Sequence, residues 1–295
     1  MKILSNILLL LFCLTIGAGT ENYLSPGAMA IDEKQDIIYT ALTTDKSIAV
    51  TNLKTGRTTE KIALKQNPNS LLLSPDGTTL FVSAGQAKGS VEIISLSNKK
   101  VKTSIQVGHT PTGLALSVDG KSLYVANRFS NTISVIDVKS NKVTATIPTV
   151  REPRSVCATP DGKTVAAGNF LPAQAAINEV VAAQITLIDT RTNTVRSNVT
   201  LPNGAQSILG VTASPDGKYL YAVHLLSRFS VPITQLDRGW VNTNALSIVD
   251  LKNDSLYATV LLDDVDRGAA NPAGICVGGD QKLYIAVSGT HELLT

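Results

Sequence analysis

The sequence predicts an all-β protein, a β-propeller built from four-stranded antiparallel blades. Two observations predict it. A two-part motif recurs along almost the whole chain, and each part reads as a short hairpin of apolar and β-branched residues around a polar turn. The copies are roughly 42 residues apart where they are regular, the length of one propeller blade.

The first part of the motif is clearest at residues 67–82, NPNSLLLSPDGTTLFV, and 110–125, TPTGLALSVDGKSLYV. Further copies begin at Glu152, Leu209 and Asn271, and a degenerate one, SPGAMAIDEKQDIIYTA, begins at Ser25. Asp76, Asp119, Asp161 and Asp216 each precede a glycine, with Asp280 at the matching place of the last copy. Asp-Gly permits the positive φ of a tight turn, so the recurrent pair is a turn device that needs no ligand. Alternation at Leu71 and Leu73, and again at Leu114 and Leu116, marks an innermost strand packed between neighbouring blades. The place between them holds Ala30, Leu72, Ala115, Cys157, Thr212 and Cys276, mostly small, as a crowded ring centre favours.

The second part follows at residues 131–147, NTISVIDVKSNKVTATI, and again at 184–199 and 244–260, with looser versions at 46–62 and 90–105. Six first hairpins and five second hairpins give about five and a half blades. Two readings fit this count of the propeller at residues 20–295: a C-terminally incomplete chain ending inside its sixth blade, which is the favoured expectation, or a six-bladed protein with a defective last blade. The stretch 171–184 carries Pro172 and reads as a long loop, not a helix.

Residues 1–19 have the form of a secretory signal peptide. Lys2 supplies the positive start, residues 7–16 the apolar run, and Gly17-Ala18-Gly19 the small residues before cleavage. Export to the periplasm or beyond the cell is the expectation, with no membrane span left after cleavage. Of the cysteines, Cys157 and Cys276 fall at matching places of different repeats, which suits two small buried hydrophobes better than a disulfide or metal pair.

Composition excludes several classes. The 295 residues are 43% hydrophobic and only 17% charged, with net charge +3, too mixed for disorder and without a basic stripe for nucleic acid. No CxxCH occurs, so no haem c is attached covalently within this chain, and a haem c would belong to a missing C-terminal region. Nucleophile elbows, zinc-protease helices and phosphate loops are absent as motifs, and no catalytic constellation can be assembled.

The stretch LYVANRFSNTISVIDVKSNKVTATIPTV, residues 123–150, resembles the YVTN-type propeller repeat of bacterial and archaeal surface or periplasmic proteins. Tyr124-Val125-Ala126-Asn127 stands where that family has YVTN, and the likeness runs from about residue 25 to the end. It implies a seven-bladed or similar propeller of the quinoprotein amine dehydrogenase-like class, of which about five and a half blades are present. Similar but larger proteins resemble fusions with a C-terminal cytochrome c or di-haem peroxidase-like region.

Candidate binding residues cluster on one face, because entry loops and hairpin-joining loops share a side of a propeller. Two insertions, 169–183 and 224–243, enlarge that face, and long loops on a rigid scaffold are where binding usually lives. The second insertion holds His224, Arg228, Arg238 and Trp240; entry loops add His109, Arg151, Arg154, Arg267 and Asn271. Arginine with aromatic residues suits a protein interface or an anionic ligand. Trp240 equally suits a plug that holds its loop on the blade, and the arginines equally suit pairing with nearby carboxylates such as Glu152. The leading expectation is an exported, non-catalytic propeller that binds a protein or cell-surface component. The alternative is the propeller portion of a periplasmic oxidoreductase whose haem domain lies elsewhere, and a third reading is single-stranded DNA binding.

Overall fold

The computed structural model describes residues 24–227, 242–263 and 268–295. Strands fill it, and the one helical element among the described residues is a single 3-10 turn, Arg128–Ser130. They form six sequential sheets: five of four strands and a last one of three, each meandering outward from its first strand. The innermost strands are Pro26–Asp32, Pro68–Leu73, Pro111–Leu116, Pro153–Ala158, Ala205–Ala213 and Pro272–Val277. This is the predicted propeller, with blade 6 carrying the start of its second hairpin at Glu292–Leu294.

The Asp-Gly turns behave as read. Gly77, Gly120, Gly162 and Gly217 all have φ near +70°. In blade 3, Asp119 accepts from the Ser117 hydroxyl at 2.6 Å and the Lys121 amide at 3.1 Å, so its carboxylate is used inside its own turn.

Apolar residues pack between blades, not within them. Tyr39, Ile48, Leu71, Leu80 and Val82 join blades 1 and 2, and Tyr124, Ile133, Val156 and Val165 join blades 3 and 4. Side chains near the axis also stitch blades 1 to 4 together. Thr43 donates to Pro68 O at 3.1 Å, Asn69 to Pro111 O at 2.8 Å, and Thr112 to Arg154 O at 3.0 Å. At the rim, Arg196 grips Asp254 through two nitrogens, tying blade 4 to blade 5. Among the described residues no apolar cluster joins blade 6 to blade 1. Met29 is 61% exposed, whereas its repeat equivalents Leu71, Leu114 and Val156 are buried. On blade 6, Cys276 and Leu293 are likewise exposed, unlike the partly buried Cys157 that was expected to match.

Blade 5 departs from the simple repeat. The strands Tyr219–Ser227 and Asn242–Asp250 have nine residues each, and pairing continues from His224↔Ala245 to Ser227↔Asn242. The ends of the expected 224–243 loop are therefore sheet. The 170–183 segment is loop, as the sequence indicated.

Candidate functional site

Entry loops and hairpin-joining loops do lie on one side. The Gly85 amide donates to Asn67 O and the Phe170 amide to Glu152 O, each bond linking one loop of each kind. Thr110, Glu152, Asn271 and Ser25, the residues just before four of the inner strands, all adopt positive φ. That bend turns the chain from the entry loop into the axis.

Inside this face lies a cavity of about 810 Å³, open to solvent and lined by the starts of all six inner strands. The second residue of five inner strands reaches it, Gly27, Asn69, Thr112, Arg154 and Ala273, as does Leu209 at the matching place of the repeat in blade 5. Arg154 is the one charged member of that ring. Two further lining residues, Arg128 and Phe170, occupy equal places in blades 3 and 4, each directly after the strand that follows the inner one.

These residues form a cluster. The Arg128 guanidinium lies 4.7 Å from the Phe170 ring centroid and 4.8 Å from that of Phe129, while Arg154 lies 5.2 Å from Phe170. Such distances place each cation within range of the negative ring face. Glu152 holds Arg128 through Nε at 3.0 Å and Nη2 at 2.9 Å. Arg154 has no hydrogen-bond acceptor among the described residues. Burial lowers its pKa, the charge of Arg128 lowers it further, and Glu152 opposes both. A guanidinium nonetheless stays protonated at any physiological pH.

The structure brings Arg154 and Asn271 to the cavity and leaves the other described candidates outside it. Asn271 donates Nδ2 to Ser288 Oγ at 2.7 Å. His109 sits at the rim, with Nδ1 2.8 Å from Thr110 Oγ1 and its ring edge-on to Phe129. Arg151 is exposed and donates to Pro172 O at 2.9 Å. His224, expected in a binding loop, is instead fully buried in the sheet of blade 5. Its Nδ1 donates to Leu225 O at 2.9 Å and its Nε2 accepts from Ser247 at 2.8 Å, so neither nitrogen is offered to a ligand. The reason is the strand extension: residue 224 is interior to a ladder, not past its end. Arg228, Arg238, Trp240 and Arg267 lie outside the described residues.

Sequence reasoning missed Arg128 and Phe170. The signal available was their shared place in the repeat, one residue beyond Asn127 and Asn169.

Six antiparallel blades around an axial cavity with a cationic and aromatic wall define an all-β propeller. Residues 74–229, more than half of the sequence, match the Cytochrome D1 heme domain, and the chain belongs to that family. It is 30% identical over 107 residues to hydrazine synthase subunit beta of Kuenenia stuttgartiensis, a match spanning 36% of this chain and 28% of that protein. The solved structure of Kuenenia stuttgartiensis hydrazine synthase superposes with a TM-score of 0.83 at 26% identity, over 94% of this chain and 78% of that one.

The family name raises the question of haem. Among the described residues, the cavity lining contains no histidine, methionine, cysteine, tyrosine or lysine. Among the described residues, no group of three or more His, Cys, Asp or Glu is placed to hold a metal. The described donor set of the cavity therefore does not fit the axial ligation of a haem iron, which calls on such side chains. Its guanidinium groups fit an anion.

Proposed function

We propose that the chain is the propeller portion of an exported oxidoreductase, the part that seats a redox-active domain or subunit and does not itself ligate the redox iron. The observation that carries this reading is the axial wall of Arg128, Arg154 and Phe170, built to receive an anionic or aromatic group from outside. Membership in the Cytochrome D1 heme domain family and the likeness to hydrazine synthase support a redox setting. The scaffold role and the export reading fit together here: a rigid ring presents one loop-rich face, and the leader-like residues 1–19 direct it out of the cytoplasm. No helix among the described residues is long and apolar enough to cross a membrane.

The uncovered faces of blades 1 and 6 extend the proposal. Met29 and Ile31 on one side, and Leu293 on the other, suit packing against one more antiparallel blade, from this polypeptide or from a partner, for a ring of seven.

The test is purification from the native host at physiological salt, followed by haem staining and absorbance. The expected result is a chain without a Soret band of its own that co-elutes with a haem-staining component. A colourless monomer, eluting alone at every stage, overturns the reading.

A further inference from the structure

Four junctions join the five complete blades, and at three of them the residue just before the later blade's outermost strand is held by the earlier blade. Between blades 1 and 2, Lys99, just before Lys100–Gln106, pairs with Glu60. Between blades 3 and 4, Asn193, just before Thr194–Thr200, accepts from the Tyr124 phenol through Oδ1 at 3.1 Å. Between blades 4 and 5, Asp254, just before Ser255–Leu261, is held by Arg196 through Nε at 2.8 Å and Nη2 at 2.5 Å.

The junction between blades 2 and 3 differs. Asn141 stands at that place, just before Lys142–Pro148, but the groups that would hold it have changed. Phe81 takes the place of Tyr124 and has no hydroxyl; Lys102 takes the place of Arg196 and stands across from an amide instead of a carboxylate. The blades leave an open groove of about 540 Å³ here, lined by Phe81, Ser95, Ser97, Lys102, Lys139 and Asn141 among others. Two lysines, one from each blade, thus share a place where blades 4 and 5 set a cation against an anion. Asp76 and Asp137 are close in sequence, yet neither lines the groove. Asp76 accepts from Ser74 and Thr78, and Asp137 from the Ser140 amide.

An ammonium group binds as a point charge, without the planar fork that selects a carboxylate, and is a recurrent phosphate binder. Ser95 Oγ and Ser97 Oγ, 3.0 Å apart, and the Asn141 amide add neutral donors from other sides, which suits a tetrahedral dianion. Phe81 supplies an apolar floor, and the volume falls in the range of small-molecule sites.

We infer that the groove between blades 2 and 3 binds a phosphate group, its charge met by Lys102 and Lys139 and its oxygens by Asn141 and the two serines. The phosphate has two sources of the same chemistry: the free inorganic ion, or the phosphate of a phosphorylated small molecule. The groove lies on the side of the Asp-Gly turns, away from the loops around the axial cavity, and the inference does not depend on the oxidoreductase reading.

Calorimetric titration of the full chain with sodium phosphate, glucose 6-phosphate and glucose, at physiological salt, tests it. One-site saturable binding of phosphate, as tight as that of glucose 6-phosphate or tighter, assigns the free ion. Tighter binding of glucose 6-phosphate, with none of glucose, assigns a phosphorylated molecule. Either supports the proposal if Lys102→Gln combined with Lys139→Gln weakens binding by about 10- to 100-fold, the loss of two charge-assisted hydrogen bonds. Both lysines are exposed, so the fold should tolerate their replacement. Lys252→Gln combined with Lys282→Gln, an equal charge change at exposed positions on blades 5 and 6, should bind as the parent does. Asn141→Asp puts a carboxylate at the place of Asp254, on a backbone of similar φ, 57° against 50°. It should pair with Lys102 and abolish phosphate binding without lowering the unfolding temperature. Four results overturn the proposal: neither phosphate nor glucose 6-phosphate saturates, glucose binds as well as its phosphate, the Lys252/Lys282 variant loses as much as the Lys102/Lys139 variant, or binding survives unchanged in both the Lys102/Lys139 variant and Asn141→Asp.

Discussion

Arg154 and Phe170 meet across consecutive strands of blade 4, the guanidinium 5.2 Å from the ring centroid, and Arg128 of blade 3 rests on the same ring at 4.7 Å. One aromatic side chain thus serves two cations from neighbouring blades. Like charges so close would repel, and the arrangement persists because Glu152 neutralises one of them and the ring attracts both.

Replacement of Phe170 by leucine therefore removes the ring quadrupole and leaves most of the apolar volume. The expected loss is about 1 kcal/mol of stability, in the range of partly buried cation–π contacts. A double-mutant cycle with Arg154→Gln, read by urea unfolding, should show coupling of about 0.5–1 kcal/mol. Additive losses would mean that Phe170 acts only as packing.

The glycines separate backbone strain from crowding. At Gly120, φ is +70° and an added Cβ meets nothing within 4 Å; at Gly168 it would sit 2.6 Å from Ile208 Cγ2 and 3.0 Å from Val211 Cγ1, side chains of the next blade. Gly120→Ala should cost about 1–2 kcal/mol from left-handed backbone alone, and Gly168→Ala about 1–3 kcal/mol from overpacking between blades. The two are distinguished by a compensating change. Ile208→Ala, which deletes the clashing Cγ2, should therefore cost less in the Gly168→Ala background than in the parent, and no less in the Gly120→Ala background, in thermal unfolding.

These positions also show what could be read from the sequence. The blades were legible because hairpin alternation and the Asp-Gly turn are local signals repeated several times. Arg154 and Asn271 were legible as entry-loop residues for the same reason. Arg128 and Phe170 were not, since their meeting depends on how blade 3 stacks on blade 4, a register set by Val156, Val165 and their neighbours and not by any local pattern. His224 was placed in a loop because an insertion looks like a loop in sequence. Nothing local announces that both of its ends continue the ladder.

The cysteines, alike in the repeat, should differ in chemistry. Burial pushes the Cys157 thiol up to about 12, which leaves almost no thiolate at neutral pH. Cys276 is exposed on the uncovered face of blade 6. Brief treatment with a thiol-specific reagent, followed by peptide mass mapping, should label Cys276 in the native protein and Cys157 only after unfolding. Native labelling of Cys157 would contradict the inter-blade packing; protection of Cys276 in material from the native host, with labelling in the isolated chain, would indicate that a partner covers this face.

His224 should make stability fall on mild acidification. Burial holds its pKa below the ordinary 6.5, and the hydrogen bond to Leu225 O opposes this only in part. In the unfolded chain the imidazole takes up its proton near that ordinary value, while the folded chain resists protonation. The unfolded state therefore binds more protons as pH drops through 6.5, and stability declines from there until the lower folded pKa is reached, by up to about 1.4 kcal/mol per pH unit. The turn aspartates act in a separate window. Hydroxyl and backbone hydrogen bonds hold Asp119 and Asp216 at about 2, so their contribution is intact above 3.8 and lost only between those values. Urea midpoints measured from neutral pH down to about pH 4.5 should thus fall in the parent protein before the turn aspartates titrate. In His224→Gln the protein should be less stable at neutral pH but with a shallower slope across the same range, His109 and His291 being common to both. Parallel slopes would show that His224 is not the group that titrates, and would remove the case for a neutral imidazole locked between Leu225 and Ser247.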